Sequence, residues 1–189
     1  MARAGLDQEK VIEAAANVAN EIGIEKVTLK MIAEKLGVQT PSLYNHIKNL
    51  DDLKKSLMIY GWKQMENALL RSVAGVSGED ALRVMCYTFY DYATSNPGVF
   101  NAMLWYNKFQ DEETMSATSS LFIILYKIMD SLRISKEDTE HLIRTFRSFL
   151  EGYCLLLNNG AFGNPISTKE SFQISVEVLL IGIKSLADR

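Results

Sequence analysis

Gly37 sits between two short apolar patterns of different phase, so residues 28–47, TLKMIAEKLGVQTPSLYNHI, must reverse direction in their middle. Before it, Leu29, Ile32, Ala33 and Leu36 recur at three- and four-residue intervals, as one buried helical face requires, and Thr28 is placed to cap that helix. A glycine reaches the left-handed conformation that ends a helix without the penalty a Cβ carries. After it, Thr40 is the expected N-cap and Pro41 the first residue of a second helix, where a missing N–H costs nothing. Leu43 and Ile47 face inward. Ala33 four residues before the glycine and Leu43 six after it predict two short helices crossing steeply over a small core, a helix-turn-helix.

The inward set leaves over Gln39, Thr40, Ser42, Tyr44, Asn45 and His46, a face of short polar and ring side chains without an acid. Amides and hydroxyls of this kind read base edges, so the face suits DNA; an ordinary helical hairpin is the alternative. Tyr44, His46 and Thr28 are expected on phosphates, Gln39, Ser42 and Asn45 on bases, with Thr40 and Pro41 opening the helix that presents them. Lys26, Lys30, Lys48, Lys54 and Lys55 fall near the helix ends that would meet DNA, whereas Glu9, Glu13 and Glu21 lie on the outer side of the first helix.

The run GVQTPSLYNHIKNLDDL resembles the recognition helix and the start of the fourth helix of the TetR family of bacterial transcriptional regulators, with its LY-x-H pattern. Thr28-Leu29 with Ile32-Ala33 is similar to that family's second helix, and residues 6–22 to its first. The resemblance covers the first quarter of the chain. It implies an all-α protein of nine helices, a three-helix DNA-binding head on a larger helical body for ligand binding and dimerisation, and a pseudo-palindromic operator as partner. Where the family pattern has a lysine opening the fourth helix, this chain has Leu50, which leaves one expected phosphate contact open with Lys48 as candidate replacement. TFYDYATSNPGVFNAM and Glu151-Gly152 are similar to a subgroup whose eighth helix carries His-Gly, though Glu151 departs from the His.

The chain has 189 residues, 48% hydrophobic and 23% charged, with a net charge of −3. No apolar run approaches the ~18 residues of a membrane span, and the leading MARAGLDQEK enters an acid-containing helix, so a cytoplasmic location is expected. Residues 1–60 hold eight Lys or Arg and eight Asp or Glu. A neutral head argues against generic nucleic-acid affinity and for site-specific binding by a dimer. Cys86 and Cys154 both sit in apolar helical patterns without metal-ligand spacing, and read as reduced core thiols.

Expected in order are a first helix over residues 7–22, the helix-turn-helix, and a fourth helix capped by Asn49 and reaching residue 73. The head is thus residues 1–50, joined by the fourth helix over 49–73 to a body of 74–189, with Ala74-Gly-Val-Ser-Gly78 as the clearest break. Helix five is apolar on nearly every side; a sixth helix is expected over PGVFNAMLWY, a seventh over 111–132, an eighth from Ser135 to about 159, and a ninth from Ser167 to the C-terminus. The last two each carry two apolar stripes. One fills the core and the second wants a partner, so a two-fold dimer through Leu150, Cys154, Val176, Leu179 and Ile183 is expected.

Helices five to eight are dense in rings and methionines. Phe89, Tyr90, Phe100, Met103, Trp105, Phe122, Tyr126, Phe149 and Tyr153 are the candidates to line one cavity for a small apolar or aromatic effector, with core packing as the alternative for each. Catalysis finds no constellation: His46 lies on the DNA-reading face, and His141 has only Asp138 and Glu140 near it in sequence. No cofactor or metal is expected. The reading is a DNA-binding regulator, a repressor released by its ligand. An apolar-ligand carrier with a disused helix-turn-helix is opposed by the acid-free face, and an architectural DNA protein by the neutral head.

Overall fold

The computed structural model describes residues 6–109 and 111–187. Residues 1–5 of the leading MARAGLDQEK and the last two positions of the expected ninth helix lie outside them. Among the described residues there are nine α-helices and no strand: α1 Gln8–Ile22, α2 Leu29–Leu36, α3 Thr40–Leu43, α4 Leu50–Ser72, α5 Gly78–Ser95, α6 Pro97–Met103, α7 Glu112–Ser131, α8 Lys136–Asn158 and α9 Thr168–Ala187. Single turns of 3-10 helix at Ile24–Lys26 and Tyr106–Lys108 follow α1 and α6.

Side chains begin most of these helices. The Asp7 carboxylate accepts the Lys10 N–H, the Thr28 hydroxyl that of Met31, and the Ser135 hydroxyl that of Asp138. Asn49 and Asp52 cap α4 reciprocally: Asp52 N–H donates to Asn49 Oδ1 at 2.8 Å, and Lys48 N–H donates to Asp52 Oδ2 at 2.9 Å. Gly37 takes φ 65°, ψ 33°, and Val38 N–H reaches back to the Ala33 carbonyl at 3.0 Å, closing α2.

Two helices depart from expectation. α3 is one turn long instead of running to Ile47, and it starts one residue early, with Gln39 as N-cap. Beyond Leu43 the chain tightens: the Leu43 carbonyl accepts the N–H of both His46 and Ile47. A six-residue link from Tyr44 to Asn49 then leads into α4. α6 stops at Met103, before Trp105 and Tyr106, which instead enter the 3-10 turn.

The chain divides into two compact units, Met1–Gln64 with Asn96–Ala117, and Met65–Ser95 with Thr118–Arg189. In the first, α1 packs on α2 and α6, and buries Val11, Ala14, Ala15, Val18 and Ala19. α6 approaches so closely that a Cβ on Gly98 would lie 1.9 Å from the Ala19 carbonyl oxygen, and one on Gly61 of α4 would lie 2.6 Å from Met103 Cγ. The Trp62 indole N–H donates to the Met103 carbonyl at 3.1 Å. In the second unit α5 packs on α8 and α9, burying Leu82, Met85, Cys86, Phe89 and Tyr90. No helix among the described residues is long and apolar enough to cross a membrane.

Candidate DNA-binding face and ligand region

Ile32, Ala33, Leu43 and Ile47 are buried together and hold α2 and α3 against each other, and their burial turns the rest of the segment outward. Tyr44 is 55% exposed, an unusual position for a ring without a partner surface. Gln39, Pro41, Asn45 and Lys48 are exposed beside it, as are Lys26 and Thr28, while Thr40, Ser42 and His46 are half-buried. No carboxylate falls between Gly37 and Asn49. Two of the flanking acids are engaged, Glu34 lying 3.8 Å from Lys30 and Asp52 accepting the Lys48 amide, while Asp51 is exposed in the first turn of α4. Thr28 has a structural duty as well, its oxygen capping α2, which leaves its O–H able to donate outward.

In the second unit, two spaces share one wall. An enclosed apolar cavity of about 20 Å³ is bounded by Leu69, Met85, Phe89, Leu121, Leu125, Phe146 and Leu150, and by Arg147 and Glu151. An open groove of about 340 Å³ between α7 and α8 is lined by Phe122, Tyr126, Glu140, Ile143, Arg144 and Ser148, and again by Arg147 and Glu151. Arg147 Nε donates to Glu151 Oε1 at 3.1 Å, and the guanidinium stands 5.4 Å from the Phe122 ring centroid. Both members are mostly buried, with 28% and 22% of their side-chain surface exposed.

Two families of known domains match the chain: "Bacterial regulatory proteins, tetR family" over residues 11–56, and "Tetracyclin repressor-like, C-terminal domain" over residues 82–179. The uncharacterized HTH-type transcriptional regulator YobS of Bacillus subtilis strain 168 is 30% identical over 96% of this chain and 94% of its own length. The chain belongs to the TetR family. Its head resembles tetracycline repressor protein class D of Escherichia coli, 43% identical over 56 residues, 30% of this chain and 26% of that protein. A variant of TetR from Acinetobacter baumannii AYE, solved in complex with minocycline, shares the fold with a TM-score of 0.72 and 20% identity, over 97% of this chain and 99% of that one. This TetR-family chain is therefore a transcriptional regulator with a helix-turn-helix head, of a family whose members bind DNA and dimerise.

The nine residues expected around one cavity of this regulator fall in several places. Phe89 borders the enclosed cavity, and Phe122 and Tyr126 border the open groove. Tyr90, Phe149 and Tyr153 instead pack around Phe172 of α9, with ring centroids 4.5, 5.2 and 5.2 Å from it. Phe100 and Met103 are buried in the first unit, and Trp105 lies there too. Periodicity shows which faces are apolar, and not which neighbour each one meets.

The expected dimer residues need a similar correction. Leu150, Cys154, Val176 and Ile183 are buried within the chain itself, and Leu179 is half-buried beside them. The apolar residues left facing outward on α9 are Ile174, Val178 and Ile181. The two stripes were legible; which of them turns inward depends on the placement of Phe172 against α8, which spacing does not encode. The sequence offers Arg83, Arg144, Arg147 and Glu151 as the few charged groups near such a cavity, each by default a solvated or paired surface charge; Arg147 and Glu151 are the two that pair with each other, at the i, i+4 spacing of opposite charges.

Proposed function

We propose that this regulator is a homodimeric repressor that leaves its operator when a small apolar or aromatic effector enters the second unit. The observation that carries the effector reading is the shared wall of Arg147 and Glu151. A cavity of about 20 Å³ holds no organic molecule, but the walls are apolar and the adjoining groove of about 340 Å³ is of ligand size. Swinging the ion pair aside joins the two. The minocycline complex of the Acinetobacter protein supports a small-molecule effector as the class.

On the DNA side, Tyr44, His46, Thr28, Lys26 and Lys48 hold phosphates, and Gln39, Ser42 and Asn45 read bases. Two recognition helices in successive major grooves must sit about 34–36 Å apart, so only one class of dimer conformer binds well. An effector shifts that balance only as far as its affinities for the two conformers differ, and the linkage is reciprocal. Ile174, Val178 and Ile181 of α9 supply the apolar surface that a second copy covers.

The test pairs two titrations on the full-length protein, using operator fragments selected from a random pool and a panel of small aromatic compounds. Compounds that raise the melting temperature of the free protein should weaken operator binding by a matching factor. Tight binding in the second unit with operator affinity unchanged would overturn the switch and leave the DNA assignment standing. Independently, Tyr44→Ala should weaken all DNA sequences alike, and Asn45→Ala should relax preference at particular base pairs by about 1–3 kcal/mol for each bidentate hydrogen-bonded pair it removes.

A further inference from the structure

The first unit holds a second cluster of positive charge, outside the helix-turn-helix. Lys54 of α4 and Lys108 of the 3-10 turn after α6 both lie over the Trp105 ring, their Nζ atoms 5.5 and 3.9 Å from its centroid. The two ammonium groups are thus within about 10 Å of each other, inside the screening length at ordinary salt, where like charges still repel. The negative face of the indole attracts each cation without neutralising it. Among the described residues, neither lysine has a carboxylate within 4.0 Å. The contrast is with the next residue along: Lys55 is held by Asp111 at 3.0 Å and Glu113 at 3.3 Å, and that pairing raises its pKa.

Neutralised and unneutralised lysines are therefore sorted on adjacent positions. Lys55 is tied down as part of the fold, and Lys54 with Lys108 is left as a divalent positive site braced by a rigid ring. Two converging ammonium groups without directional forks suit a phosphate, which takes point charges well. The location selects the source. Lys54 is one helical turn from Leu50, the first residue of α4, about 6 Å along the axis. Leu50 contributes no charge to that opening turn, and the exposed Lys48 and Tyr44 lie just before it.

We propose that Lys54 and Lys108, gathered on Trp105, bind the DNA backbone as a phosphate clamp additional to the helix-turn-helix, so that the segment after α6 takes part in operator binding. The clamp rests on the proposed placement of Tyr44 and its neighbours against DNA. It reads no bases: its effect is to add affinity on every sequence and to steepen the dependence on salt. It also brings a residue from beyond α6 to the operator, where the neutral head alone has few cations to offer.

The test measures affinity of the full-length protein for its selected operator, and for random duplex, across a salt series. The paired change Lys54→Gln with Lys108→Gln is compared with wild type and with Lys136→Gln plus Lys169→Gln, which removes the same charge from the other unit. The clamp predicts that log affinity against log salt flattens by about 0.9 for each phosphate no longer neutralised, nearly 2 for a dimer with one clamp in each protomer, equally on both DNAs. The control pair should leave the slope in place. Because Lys108 is exposed and Lys54 half-buried, and the loss of their contacts with the Trp105 ring is offset by relief of their mutual repulsion, the melting temperature should move little. An unchanged slope, or an equal flattening in the control, overturns the clamp. If in either case Tyr44→Ala still weakens binding, the recognition face survives and the clamp alone fails; if Tyr44→Ala and Asn45→Ala are also silent, the recognition face fails and the clamp falls with it.

Discussion

Asn20 works in three hydrogen bonds at once. Its Oδ1 accepts the backbone N–H of both Gly98 and Val99 at 3.0 Å, and its Nδ2 donates to Asn96 Oδ1 at 3.1 Å. It thereby caps α6 from α1, a duty that Asn96, the residue in N-cap position, does not perform with its own side chain. Gly98 must be glycine for the same docking, since any Cβ would collide with the Ala19 carbonyl. Asn20→Ala should lower stability by about 0.5–2 kcal/mol, as removal of a cap does, and Gly98→Ala by more, both read from denaturant midpoints. A midpoint unmoved by Gly98→Ala would mean that α6 does not sit against α1 as described. Nothing in the sequence marks Asn20, because capping across 78 residues has no local pattern. Cys86 and Cys154, in contrast, were readable as core thiols, and burial pushes both up to about 12. A thiol reagent at mildly alkaline pH should therefore label neither in the folded protein and both after denaturation; rapid native labelling would contradict their burial.

Among the elements, α9 carries large apolar side chains on both its buried and its exposed faces. Phe172, Val176, Leu180 and Ile183 are buried, while Ile174, Val178 and Ile181 are exposed, the last at 70%. A charge at each place has a different outcome. Ile181→Lys should split the dimer in sedimentation while the protomer keeps its helical spectrum and much of its melting temperature. Ile183→Lys should destabilise the protomer itself by several kcal/mol, since it buries an unpaired charge. A dimer that survives Ile181→Lys would move the interface elsewhere. The helix-turn-helix was legible nearly residue by residue because its signals are local: a cap, a left-handed glycine, a proline and two apolar spacings. Its exit was not, because Tyr44, Asn45 and His46 have no pattern that distinguishes a tightening turn from a continuing helix. The extent of α6 was misjudged for the same reason, with apolar Leu104, Trp105 and Tyr106 extending a pattern that the backbone abandons.

For the whole molecule, the division into units regroups the chain in a way that order along the sequence hides. Residues 96–117 are separated from the head by two long helices, yet they cluster with it. α4 crosses from one unit to the other between Gln64 and Met65, and α7 crosses between Ala117 and Thr118, so under the proposed switch these two continuous helices are the candidate conduits for an effector signal. Breaking the rigidity of the first should uncouple the two events. Gln64→Gly, at the crossing itself, should leave effector affinity and operator affinity each within a few-fold of wild type and shrink the factor by which one alters the other. An undiminished coupling factor would point to α7 as the sole conduit, or to no conduit of this kind.

Both tryptophans of the chain, Trp62 and Trp105, belong to the first unit, and in unlike settings: one hydrogen-bonded in the core, the other half-exposed beneath two ammonium groups. Indole fluorescence therefore reports on the surroundings of these two rings in the first unit. An effector held as proposed would meet the residues that line the cavity and the groove, none of which is a tryptophan. Under the proposed switch, a change in colour or brightness on its addition records a rearrangement passed to the first unit, obtained without a label and without DNA in the cuvette.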